Sequence, residues 1–279
     1  QVQEPTVEIQ PIEYETQAIE ETANVLFKPN PGPQTDFLAA AEREVLYGGS
    51  AGGGKSYAML SDPLRYMGHP AFSGLLLRHT TEELRELVFK SQELYPKIWP
   101  GIKWSERKMQ WTAPSGARLW MSYLDRDDDV LRYQGLAFSW IGFDELTQWA
   151  TPYAWNYMRS RLRSTAADLP IYMRATTNPG GRGHHWVKKM FIDPAPYNRA
   201  YDATDIETGE VLRYPAGHAK AGRPLYKRRF IPARLSDNPY LAESGDYEAM
   251  LLSMPEQQRR QLLDGDWDIK EGAAFTEFD

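Results

Sequence analysis

Eight consecutive residues, Gly49-Ser-Ala-Gly-Gly-Gly54-Lys55-Ser56, satisfy the pattern G-x-x-x-x-G-K-[ST]. Glycines at this spacing let successive backbone N–H groups turn inward around phosphate oxygens, at the positive end of a helix that follows. Lys55 has the length to reach β- and γ-phosphates, and the Ser56 hydroxyl can ligate Mg2+. The cradle is therefore expected to run through Gly49, Ser50, Ala51, Gly52, Gly53, Gly54, Lys55, Ser56 and Tyr57. A second group, Trp140-Ile-Gly-Phe143-Asp144-Glu145, is an apolar run ending in two adjacent carboxylates, about 90 residues after the lysine. That order suits nucleotide hydrolysis: the first acid holds the Mg2+ sphere and the second orients and deprotonates the attacking water. Taken alone, the pair also fits a helix N-terminus, whose dipole favours acids. A third polar group, Thr176-Thr177-Asn178-Pro-Gly-Gly181, closes another apolar run.

These groups need elements that bring them together. Glu44-Val-Leu-Tyr47, Gly74-Leu-Leu-Leu77, Phe138 to Phe143 and Ile171 to Thr176 read as short buried strands. Between them, helical patterns run over Gln34 to Arg43 (with Thr35 or Asp36 as N-cap), Tyr57 to Tyr66, Glu82 to Tyr95, and from the acid pair to about Arg163. Residues 102–124 alternate in short runs around Pro114-Ser-Gly116, a hairpin signal. Alternating strands and helices imply an α/β fold with a mainly parallel sheet and helices on both faces. In such a sheet the carboxyl ends of the strands gather along one edge, where ligands bind. Thr177 and Asn178 would then sit beside Asp144 and a γ-phosphate. After about residue 190 the pattern weakens until a helical stretch from Tyr247 to Leu263, interrupted by Pro255.

Composition narrows the class. The 279 residues contain no cysteine, which removes disulfides, thiolate zinc sites and a cysteine nucleophile. No apolar run approaches the roughly 20 residues a bilayer requires. Net charge is −6, and residues 1–27, with six glutamates and no Lys or Arg, account for all of it. Residues 1–24 read as an acidic flexible arm. Residues 220–234 carry Lys220, Arg223, Lys227, Arg228, Arg229 and Arg234 without an acid. That run suits contact with a DNA backbone or a neighbouring subunit. His184 and His185 follow the glycine turn with no third ligand at metal-binding spacing, so they read as turn residues. Trp104, Trp111 and Trp120 read as hairpin and core packing.

The three motifs together resemble the large terminase subunits of tailed bacteriophages, the ATP-driven motors that package double-stranded DNA. The resemblance extends over most of 25–279: Gln34 ahead of the loop, GGSAGGGKS at 48–56, Arg78 after the next strand, YQGLAFSWIGFDELTQW at 133–149, SRLRS at 160–164, TTNPGG at 176–181 and the GDWDIKEGAAF close. It implies a RecA-like additional-strand P-loop ATPase core over 25–208, a small lid subdomain over 209–270, and a linker over 271–279 toward an RNase H-like nuclease. The chain stops short of the position where that nuclease's first metal-binding carboxylate falls, so no cleavage is expected from it. The implied ligands are ATP and Mg2+. Gln34 would serve adenine, Lys55 and Ser56 phosphate and Mg2+, Asp144 Mg2+, Glu145 water activation, and Thr177 and Asn178 coupling to movement. The implied partners are double-stranded DNA, the portal protein, the small terminase subunit and further copies in a ring of five, in the host cytoplasm and not on a membrane.

The chain departs from the family's pattern in two places: Ser50 and Ala51 stand where many relatives place a P-loop arginine, and Gln134 where others place a finger arginine. Phosphoryl transfer still needs a cation, so Arg126, Arg132, Arg159, Arg161 and Arg163 are candidates, with Arg132 favoured by position. The rival expectations are a helicase-like nucleic-acid ATPase, for which too few residues follow 181 to build a second core, and a nucleotide-binding assembly protein without turnover.

Overall fold

A computed structural model of the chain describes residues 27–243 and 245–269. The arm expected over 1–24 and the linker expected over 271–279 lie outside the described residues. Nine strands build one sheet: β1 Glu44–Gly49, β2 Ser73–Arg78, β3 Lys103–Ser105, β4 Gln110–Thr112, β5 Arg118–Tyr123, β6 Trp140–Asp144, β7 Tyr172–Thr177, β8 Ala200–Asp202 and β9 Lys227–Ala233. Their order is β3-β4-β5-β2-β6-β7-β1-β9-β8. From β5 through β9 every neighbouring pair is parallel, and the antiparallel strands β3, β4 and β8 lie at the two ends.

In β1, β2 and β6 the residues between the ends are apolar because both faces are covered, whereas β7 and β9 are interrupted by the buried Arg174 and Arg228. In β1, Val45 and Tyr47 pack with Phe37, Met59 and Leu87, whereas Leu46 packs in the opposite core with Phe143, Trp155 and Phe191. β2 alternates likewise, Leu76 against the first core and Leu75 and Leu77 against the second. Helices α1 Pro33–Ala39, α2 Lys55–Ser61 and α3 Thr81–Ile98 cover one face, and α4 Tyr153–Arg159 belongs to the other.

Local chemistry sets the helix ends. α1 begins at Pro33 after Gly32 (φ 87°), not under a Thr35 or Asp36 cap, because proline at the first position presets the helical φ. α2 starts at the P-loop lysine and stops before Pro63, which turns Asp62–Tyr66 into a 3-10 segment. α3 carries a reciprocal capping box between Thr80 and Glu83. The helix expected straight after the acid pair is deferred to α4, behind Pro152.

The segment expected as a lid over 209–270 includes the last strand of the main sheet. Residues Lys227–Ala233 form β9, hydrogen-bonded along β1 inside the main sheet. The pairing sets Arg228 opposite Glu44. Arg228 Nε lies 2.6 Å from one Glu44 oxygen and Arg159 Nε 2.5 Å from the other. Burial alone would raise the Glu44 pKa, but the two guanidiniums outweigh it and hold the carboxyl below its usual range. The basic run is thus partly internal. Arg229 binds Asn198 and lies near Glu42, and Arg228 is buried, so neither is offered to an outside partner.

Candidate active site

The P-loop leaves β1 at its carboxyl end and enters α2. Gly49 has φ 140°, and a Cβ there would lie 2.2 Å from the Ala233 carbonyl, so no other residue fits beside β9. Gly54 caps α2 in the left-handed region, where a Cβ would meet the Gln34 amide at 2.7 Å. The loop is held from outside on several sides. Ser50 N–H donates to the Ala233 carbonyl (2.8 Å) and Ala51 N–H to the Leu262 carbonyl (2.6 Å). The Gly52 carbonyl accepts from Asn238 Nδ2 (2.6 Å) and the Gly54 carbonyl from Gln34 Nε2 (2.9 Å). With their carbonyls anchored, the N–H groups of Gly52 and Gly53 make no backbone hydrogen bond among the described residues. Lys55 is buried and its ammonium donates to the Ser50 carbonyl. Burial lowers the lysine's pKa, opposed by the Glu145 and Asp144 carboxylates. Ser56 is half-buried and Tyr57 exposed.

The acid pair ends β6, two strands from β1. The parallel register pairs Asp144 with Thr176, whose hydroxyl donates to Asp144 Oδ1. Arg78, the last residue of β2, brings Nε within 2.8 Å of Asp144 Oδ2, an ion pair without hydrogen-bond alignment. Burial would depress the Arg78 pKa, but Asp144 and Glu145 raise it. Glu145 stands in the left-handed region at φ 61°, ψ 56°, which a residue with a Cβ seldom adopts. Burial and the Asp144 charge raise its pKa; Lys55, Arg78 and the Asn178 N–H pull the other way. Conformational strain with a displaced pKa in a cleft is characteristic of functional positions. Arg78, Glu145, Thr147, Asn178, Gly180 and Gln261 line a groove of about 310 Å³. A larger cleft, about 510 Å³, is lined by Gly54, Gln34, Tyr57, Asn238 and Tyr240.

The sequence-derived residues are distributed as follows. The loop 49–56, Asp144, Glu145 and Asn178 meet along the carboxyl edge of β1, β6 and β7. Gln34 is buried, its Oε1 accepting the Asn30 N–H (2.6 Å) while its amide braces Gly54. Thr177 does not turn its hydroxyl to Asp144. It bonds Thr147 Oγ1 (2.7 Å) and receives the Thr147 N–H (3.2 Å), while Thr176 takes the position at the acid. Asn178 keeps Oδ1 buried without a donor. Arg132 and Arg126 follow β5 at the same edge of the sheet. Arg132 is bound within its own segment, to the Tyr123 carbonyl at 2.8 Å and over that ring. Arg159, Arg161 and Arg163 stand at the opposite edge. Arg159 pairs with Glu44 at the start of β1, and the flanking residue Leu162 bridges Phe138, ahead of β6. Their position removes them as cations for the acid pair of their own chain. His184 is buried, receives the Gly180 N–H at Nδ1 (2.8 Å) and stacks on Trp267, a turn-bracing role.

Arg78, Thr176 and Asn238 were not assigned roles from the sequence. Only Arg78 had a signal, a cation at the end of an apolar run. The other two depend on strand register and on packing between residues almost 200 apart.

Comparison with known proteins agrees with this geometry. The family model described as terminase large subunit, T4-like-virus type, N-terminal, matches residues 46–279. The solved large terminase of a thermophilic bacteriophage superposes with a TM-score of 0.59 at 16% identity, covering 90% of this chain and 57% of that one. Its complex with ADP gives 0.57 at 15% identity, covering 86% and 54%. The ATPase domain of the Thermus phage P74-26 large terminase gives 0.53 at 14% identity, covering 86% and 94%. The chain thus spans about half the length of the first of these proteins. No curated protein sequence matches it. The mostly parallel sheet, the glycine loop and the acid pair, together with a family match that runs from β1 to the end of the chain, lead to one assignment: the chain belongs to the T4-like-virus-type terminase large subunits, as their N-terminal domain.

Proposed function

We propose that this domain binds and hydrolyses ATP with Mg2+, and that hydrolysis drives double-stranded DNA into a prohead. The observation that carries the proposal is geometric: the phosphate loop leaves the carboxyl end of β1 and the acid pair stands at the carboxyl end of β6, two parallel strands away on the same edge of one sheet, with Lys55 buried at the start of α2. The ADP complex of the thermophilic phage terminase supports a nucleotide in a domain of this fold.

The residues fit the ligands. The free amides of Gly52 and Gly53 suit phosphate oxygens, and Asp144, a buried carboxylate whose Oδ2 already faces the Arg78 cation, has the charge a metal ion needs. Ser56 and Asp144 would hold Mg2+, which when bound neutralises charge on the β- and γ-phosphates. Lys55 supplies a cation to the transferring group. Thr176 and Arg78 fix the Asp144 carboxylate from two sides. Glu145, made a stronger base by burial, accepts a proton from the attacking water. Asn178, whose N–H donates to Glu145, and Thr177, through Thr147, connect the acid to the loop at 178–181 and relay loss of the γ-phosphate. Gln34 lines the cleft beside Gly54 and would meet the adenine, with Tyr57 on its wall.

Arg132, exposed beyond β5 and unattached to its own P-loop, would act on the site of a neighbouring copy in a ring of five. The portal protein and the small terminase subunit complete the assembly in the host cytoplasm. No helix among the described residues is long and apolar enough to cross a membrane. Glu145→Gln tests the proposal: phosphate release should fall about 10²–10⁴-fold while fluorescent ADP still binds. Undiminished release would remove Glu145 as the base.

A further inference from the structure

After β8 the chain does not return directly to the sheet. It builds an irregular ribbon over 203–226, with bridges Thr204 to Val211 and Arg213 to Pro224 and paired amides Leu212 to Ala203 and Leu225 to Leu212. The ribbon joins β8 to β9 at one end of the sheet. Its outer part, 211–226, carries Arg213, Lys220 and Arg223, all exposed, and no Asp or Glu; exposed Lys227 follows at the start of β9, while Asp205, Glu207 and Glu210 lie in the part next to β8. Its tip is braced. Tyr214 stacks on His218 with centroids 4.5 Å apart, Lys220 lies over the Tyr214 ring, and His218 Nδ1 accepts the Lys220 N–H (3.0 Å). Arg213 donates to the Gly222 carbonyl (2.8 Å), joining the two sides of the turn. Arg213, Lys220, Arg223 and Lys227 have no carboxylate partner among the described ion pairs, unlike Arg228, which follows Lys227 in β9.

We propose that this ribbon tip is a contact for the phosphodiester backbone of duplex DNA. The inference rests on the packaging reading above and names the surface that reading leaves open. A braced turn whose outer part carries exposed cations and no acid matches a repeating anion. It offers no base-edge chemistry, so the contact is independent of sequence, as a track for movement requires. It also revises the basic run seen in the sequence: Arg228 and Arg229 are spent inside the fold, and Arg213 joins the exposed set.

The test is fluorescence anisotropy of a labelled duplex of roughly 30 base pairs with the chain, over a range of salt. Lys220→Gln, Arg223→Gln and Lys227→Gln combined should weaken binding about tenfold or more at low salt and reduce the salt slope by roughly 0.9 per cation removed. The charge-conserving set Lys220→Arg, Arg223→Lys and Lys227→Arg should bind as the parent does. Neutralising Lys103, Arg107 and Lys108, at the far end of the sheet, should leave the slope unchanged. Fluorescent ADP binding checks that each variant is folded. No duplex binding by the parent, or an unchanged slope in the glutamine set, overturns the proposal. So does a glutamine set that alters only self-association in sedimentation, which would assign the ribbon to an acidic surface such as Asp125–Asp128 on a second copy. A failure of the ATPase reading appears separately, as phosphate release that ignores Glu145→Gln while duplex binding still depends on the ribbon.

Discussion

Glu44→Gln is the most demanding test of the packing described above. Glu44 is fully buried, and Arg228 is 1% exposed. The amide would remain near both guanidiniums but could not neutralise either. Removing one member of a buried pair costs about 3–5 kcal/mol, because the remaining charge stays dry and unpaired. Arg159, a quarter exposed, regains water and adds little. In a domain of this size about 1 kcal/mol corresponds to a Tm change of roughly 2–4 °C, so a fall of about 6–20 °C is expected. The assay is urea and thermal unfolding followed by tryptophan fluorescence. Replacing Glu44 and Arg228 together by Leu and Met should cost less than Glu44→Gln alone. The pH dependence has a definite sign. Because the folded pKa lies below the usual 4.5, the parent holds the full contribution above that value and loses it as pH falls through the folded pKa. Glu44→Gln should remove that acid limb. A loss under about 1 kcal/mol, or an unchanged acid limb, would mean the pair is hydrated and the argument wrong.

Arg78→Ala removes a cation that lowers the Glu145 pKa, so the acid limb of kcat/KM for ATP hydrolysis should move to higher pH; a limb that stays or moves down refutes that coupling. Arg132→Ala should reduce hydrolysis about 10³-fold or more at concentrations where copies associate and leave fluorescent ADP binding intact, while Arg161→Ala and Arg163→Ala leave the rate unchanged. Equal rates for all three would place the finger elsewhere.

Much of this was legible in the residues. β1, β2 and β6 are covered on both faces, so their apolar runs are continuous, and the P-loop and acid pair mark the ends of two of them; β7 is recognisable despite its buried Arg174. β9 was hidden for two physical reasons. Its Arg228 occupies an interior position only because Glu44, 184 residues earlier, lies opposite. Its Pro232 is tolerated because β8 covers only Lys227–Arg229, leaving that part of the strand without an outer neighbour. Choosing between Thr176 and Thr177 at Asp144 needs the β6–β7 register, which adjacent threonines do not reveal. The contact of Leu262 with Ala51 likewise depends on where the last helical turn returns, a matter of chain reversal rather than local pattern.

The position of β1 carries a consequence for how the domain is made. The strand that launches the phosphate loop is flanked by β7 and β9, and its Gly49 and Ser50 are shaped by Ala233. Both walls come from the distant half of the polypeptide, so during synthesis the loop emerges long before its supports exist. Closure of such long-range pairings is slow, so the loop takes its folded shape only when nearly the whole domain has left the ribosome.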